Sequence, residues 1–142
     1  MGEIVRLPSA AASEPVHLLP GEYKLAFRKK RLVRRFNRGV LELTFAVMDF
    51  GESFEQQLTR YYNVQLSREK RAFTARPGSM FVRDYCQVFG KRPRFDRNPV
   101  GDYRDCMVIG YVDTTTTDYE QKKLPDAMQY SVIQELKRRA EQ

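Results

Sequence analysis

The chain has 142 residues, 42% of them hydrophobic, which is enough for one domain with its own core and no need of disulfides or a structural metal. Its formal net charge is +7, which favours a polyanionic partner, while two cysteines twenty residues apart and a single histidine argue against Cys/His metal sites and Ser/His or Cys/His catalysis. No stretch approaches the roughly 20 apolar residues of a membrane span and residues 1–20 hold no signal-peptide run, so the expected compartment is the cytoplasm, with Cys86 and Cys106 as thiols.

Residues 1–20 contain Pro8 and Pro15, show little periodicity, and read as a mobile lead-in that becomes ordered near Leu18; His17 lies in it. Residues 23–50 read as a basic β-hairpin. Eight cations and no carboxylate fall in the fifteen residues 24–38, yet Tyr23, Leu25, Phe27, Leu32, Val33 and Phe36 are threaded among them, which a disordered basic arm would not need. Tyr23, Leu25 and Phe27 alternate inward while Lys24 and Arg28 face out; the parity then changes to Leu32, Arg34 and Phe36, which predicts a bulge or bend near residues 29–31. A turn is expected at Asn37, Arg38 and Gly39, followed by a strand whose Leu41, Leu43, Phe45 and Val47 make a core face.

A third strand is expected over residues 58–66, with Leu58, Arg60, Tyr62 and Val64 on one parity and Thr59, Tyr61 and Asn63 on the other. The next connection is basic, with Arg68, Lys70, Arg71 and Arg76 around Phe73. Ser79 as N-cap and Gly90 as stop bound a helix over residues 80–89, whose apolar positions leave Arg83, Asp84 and Gln87 to solvent. Residues 91–105, with two prolines and a glycine, read as a basic loop, and 106–112 as a buried strand. A polar loop with Tyr119, Lys122 and Lys123 leads to a last strand over 128–136, a terminal helix being the alternative, and then to a basic end, 137–142.

The resulting order, β-β-β-α-β-β over a domain of residues 21–136, matches a mainly β fold: a small OB-fold-like barrel with one packed helix. The stretches Pro20-Gly21-Glu22-Tyr23, residues 41–47, Tyr62-Asn63-Val64, the apolar helix and residues 106–112 together resemble small single-stranded-DNA-binding proteins of phages and integrated mobile elements. That resemblance covers roughly residues 20–136. It implies an OB fold, binding of single strands with little sequence preference during replication or recombination, and often self-association.

A strand face rich in Arg and Lys can follow phosphates while nearby aromatics stack bases. Lys24, Arg28, Lys30, Arg34, Arg35 and Arg38 are therefore the expected backbone contacts, Tyr61 and Phe36 the expected stacking rings, and Arg60, Arg71 and Arg76 the extension of the groove. The competing account is an edge strand whose charges merely discourage edge-to-edge pairing; eight cations exceed what that requires. No cofactor or metal and no enzymatic activity are expected. The expected partners are single-stranded DNA, with RNA left open, a further copy of the chain, and replication or recombination proteins, but no membrane.

Two rivals remain: an interaction module that turns its basic face to an acidic protein, and a metal-dependent nuclease. Asp126 with Glu135, Leu136 and Lys137 resembles an Asp plus Glu-x-Lys nuclease arrangement, but only eight residues separate the two carboxylates and Lys137 lies almost at the chain's end. Asp49-Phe50-Gly51 reads as a turn rather than a kinase metal tripeptide, and no phosphate loop is present, since no two glycines lie closer than nine residues.

Overall fold

Leu41, Leu43, Phe45 and Val47 are all fully buried, and the strand that carries them, β2 (Arg38–Val47), is the middle of the molecule. The structure, a computed structural model, describes residues 18–69, 71–115 and 130–140. Most of the expected lead-in with His17, and also Lys70 and residues 116–129 with Lys122, Lys123 and Asp126, lie outside them. β2 pairs on one side with β1 (Gly21–Arg35) and on the other with β3 (Gln57–Leu66). A two-residue strand, β4 (Phe73–Thr74), adds to β3; β5 (Met107–Thr115) pairs with β1, and β6 (Tyr130–Arg139) with β5. The fold is mainly β: one antiparallel six-stranded sheet in the order β4-β3-β2-β1-β5-β6.

The helix α1 (Met80–Phe89) has the expected bounds for local reasons. The Ser79 side chain accepts the Val82 N–H at its start, and Gly90, at φ 73°, donates its N–H to the Cys86 carbonyl at its end. Phe81 and Tyr85 enter the core, where Phe81 meets Tyr62 and Phe73 edge-to-face at 5.3 and 5.2 Å. A 3-10 helix, Pro99–Asp105, sits where a loop is expected; the Asn98 side chain caps it and it buries Val100 and Tyr103. Cys86 and Cys106 are both free thiols. No helix among the described residues is long and apolar enough to cross a membrane.

Four expectations are corrected. First, the sheet does not close into a barrel. β6 comes within 8 Å of β3 at several Cα pairs, but no ladder joins them. Instead α1 side chains take the edge of β6: the Leu136 N–H donates to Asp84 at 3.2 Å and the Leu136 carbonyl accepts from Gln87 at 2.7 Å. Second, Asp84 is therefore fully buried rather than solvated. Third, the hairpin turns at Phe36 and Asn37, at φ 51° and 63°, with Arg38 and Gly39 already in β2; two positive φ values in a two-residue loop are the type I′ geometry that matches strand twist. Fourth, Lys137, Arg138 and Arg139 continue β6 and do not form a separate basic end.

Candidate nucleic-acid interface

The bend in β1 decides where its cations go. The ladder to β2 runs Phe27 opposite Phe45 and then Lys29 opposite Thr44, so Arg28 is the extra residue of a bulge, just ahead of where the parity change suggested. Beyond it Lys30 lies opposite Leu43, Leu32 opposite Leu41 and Arg34 opposite Gly39. Partners across a ladder share a face, so Lys30 and Arg34 stand on the core-side face, on either side of Leu32, which packs against the core. Arg31 and Arg35 stand on the other face, where both reach Glu42, at 3.6 and 2.9 Å. Pairing of β1 with β5 stops at Ala26 and Met107, which leaves residues 27–35 laddered on one edge among the described residues.

Three cavities adjoin this stretch. At the hairpin tip an open groove of 740 Å³ is lined by Arg34, Asn37 and Arg38, by Asn63 and Gln65 at the end of β3, and by Arg76, with no carboxylate in its lining among the described residues. Its floor includes Gly39, where an added Cβ would lie 2.6 Å from the Val64 carbonyl oxygen and 2.7 Å from Leu66 Cγ. Gly39→Ala is therefore expected to spread β2 from β3 and cost about 1–3 kcal/mol in urea unfolding. A middle pocket of 220 Å³ joins Lys30, Arg71 and Arg97 to Phe73 and Phe95. A third cavity, of 520 Å³, holds Lys24 and Arg28 together with Arg104 and Arg139.

The expected residues thus separate into groups. Arg34, Arg38 and Arg76 meet in one groove, Lys30 and Arg71 in the next, and Lys24 and Arg28 in the third, where Arg28 is also 3.6 Å from Glu55. Arg35 is committed to Glu42. Arg60 leaves the set: it is 5% exposed, its Nε donates to Asp84 at 3.0 Å, and its guanidinium lies 4.5 Å over the Tyr62 ring. Burial, and then the neighbouring Asp84 charge, push the Tyr62 hydroxyl well above the ordinary tyrosine range, so it stays protonated and donates to Asp84 at 2.6 Å.

Of the two expected stacking rings, Phe36 stands at the hairpin tip, 63% exposed. Tyr61 leaves the core as its alternation with the buried Tyr62 requires, and it is 41% exposed. It lies opposite Glu42 on the face away from the core, where burial first, then Tyr130 and Glu42, push its hydroxyl up to about 12. Phe95, Arg97, Arg104 and Arg139 were not among the expected contacts; the loop and the end that carry the three arginines read as basic, but Arg104 and Arg139 meet only through the fold. Another exposed aromatic feature lies at the far end of β2, where Phe50, 93% exposed, stacks on Phe54 at 5.3 Å.

Among the described residues, no three His, Cys, Asp or Glu side chains are grouped to hold a metal ion. No protein family, curated protein or solved structure matches the chain.

Proposed function

We propose that the protein is a non-enzymatic binder of single-stranded nucleic acid, DNA in the first place, with little sequence preference. The observation that carries this reading is the tip groove, where Arg34 and Arg38 of the hairpin meet Arg76 of the connection before α1 and, among the described residues, no carboxylate lines the space between them. Edge protection would need cations on β1 alone; cations brought in from the connection before α1 serve a polyanion. Arg34, Arg38 and Arg76 neutralise phosphates and release counterions, Phe36 offers a ring to a base, and the Asn37, Asn63 and Gln65 amides meet base edges or sugars without selecting one sequence.

Strand order supports an OB-like reading: five long strands in the order β3-β2-β1-β5-β6, the helix between β3 and β5, and β6 returning toward β3. OB folds are partly open barrels that bind oligonucleotides on the face of their second and third strands and at the loop between the first and second, which here carries Phe36. The resemblance to phage and mobile-element proteins adds replication or recombination as the setting.

The conformation of Phe36 provides a test of its own. A bulky residue at φ 51° is disfavoured by about 1 kcal/mol or more, whereas Asn tolerates that region. Phe36→Asn is expected to keep the turn while weakening oligonucleotide binding by about 1–3 kcal/mol. A loss of stability with unchanged binding would make Phe36 a packing residue.

The reading as a whole is tested by fluorescence anisotropy on labelled oligo-dT, a matched duplex and oligo-U across a salt series, with and without magnesium. Expected are oligo-dT binding about tenfold tighter than duplex, a log–log salt slope of about −0.7 for each phosphate contacted, and no cleavage. Equal, weak binding of all three would sink it and favour the interaction-module rival, for which the exposed Phe50–Phe54 pair is the supporting feature.

A further inference from the structure

We propose that Lys24, Arg28, Arg104 and Arg139 form a second phosphate-binding site, occupied by the same strand that enters the tip groove, so that the bound length is set by the distance between the two. The inference rests on the single-strand reading above and extends it to Arg104 and Arg139. These four cations come from β1, the 3-10 helix and β6, and among the described residues they share their 520 Å³ cavity with one carboxylate, Asp105. Glu55, 3.6 Å from Arg28, and Asp105 balance part of this charge, and a backbone phosphate supplies a further anion for the remainder.

Two features hold the site in line with the tip. Arg28 is the bulge residue, and a bulge re-aims its side chain out of the strand's alternation. The 3-10 helix connects the cavities: Asn98 and Pro99 at its start line the middle pocket, and Arg104 and Asp105 at its end line this one. Arg139 is steadied from the other side, its guanidinium lying 5.9 Å from the centre of the Phe89 ring. From Arg28 to Arg34 β1 advances six residues, about 20 Å at roughly 3.3 Å each. That span corresponds to about six nucleotides at a stacked rise of roughly 3.4 Å.

The test compares oligo-dT of about five and about fifteen nucleotides, lengths on either side of that span, on the wild type and on Arg104→Gln with Arg139→Gln. In the double variant the affinity advantage of the longer oligonucleotide is expected to shrink by about tenfold, and the salt slope on it to become shallower by about 1 to 1.5. An unchanged advantage and slope overturn the site. A second arm keeps this inference separate from the reading beneath it: inorganic tripolyphosphate is titrated against the amide resonances of Cys106 and Met107. Should the wild type bind no oligonucleotide yet show tripolyphosphate shifts that the double variant loses, the phosphate site stands and the single-strand reading falls. No shifts together with no oligonucleotide effect would overturn the site.

Discussion

Arg34→Glu combined with Arg38→Glu is expected to lower oligo-dT affinity about a hundredfold, ~2.7 kcal/mol, at physiological salt. Both side chains line the tip groove, so on the proposed reading each reversal would remove one phosphate contact and place a carboxylate against the backbone. Neither has a carboxylate partner among the described residues, so the fold loses little, and the thermal midpoint should move by only a few degrees. Arg31 and Arg35 provide the contrast. They balance Glu42, which is largely buried, and Arg35→Glu would bring like charges together and act on stability before it acted on binding. Anisotropy titration with a parallel thermal melt separates the two effects. Unchanged affinity in the Arg34/Arg38 variant would remove the groove from the binding surface.

What could be read in advance follows how local each feature's cause is. The bounds of α1 depend on Ser79 and Gly90, which act within a turn of themselves, and the core face of β2 depends on strict alternation. The bulge announced itself through the change of parity in β1, but its position depends on which β2 residues are opposite Phe27 and Lys29, and β1 alone does not carry that information. The turn was expected one residue late because Asn37 and Gly39 are turn formers, whereas no local preference puts Phe36 at a positive φ. For the 3-10 helix there was a usable signal: Asn98 before Pro99 is a cap followed by a first-turn proline.

The candidate site was legible in part for the same reason. A hairpin dense in cations is visible in sequence, and so is the basic connection, so Arg34, Arg38, Arg71 and Arg76 could be named before the grooves that they line were seen. The role of Arg60 was misread although its parity held the clue. It alternates with Leu58, Tyr62 and Val64, all buried, and a cation on a core-facing parity requires a buried anion. That anion, Asp84, is 24 residues away, and on a helix of otherwise clear amphipathicity it reads as exposed. Its burial depends on partners brought together by β3 and β6, which no window of sequence contains.

Asp84 is accordingly where a single change should cost most. Its Oδ2 accepts from Arg60 Nε, from the Tyr62 hydroxyl and from the Leu136 N–H, and its Oδ1 accepts from Arg83. One carboxylate thus ties α1 to both β3 and β6 across the gap where the sheet fails to close. Asp84→Ala leaves the Arg60 charge buried without a partner and is expected to cost about 3–5 kcal/mol in urea unfolding, much of a marginal domain's stability. Arg60→Met with Asp84→Leu removes the unpaired charge and should recover part of that loss. About 1–3 kcal/mol should persist, because the Leu136 N–H remains buried without an acceptor. Oligonucleotide binding would weaken with the fold, since Ser79, the cap of the same helix, lines the tip groove. A cost below about 1 kcal/mol for Asp84→Ala would mean that Arg60 swings out to water and that the gap between β3 and β6 is held by apolar packing alone.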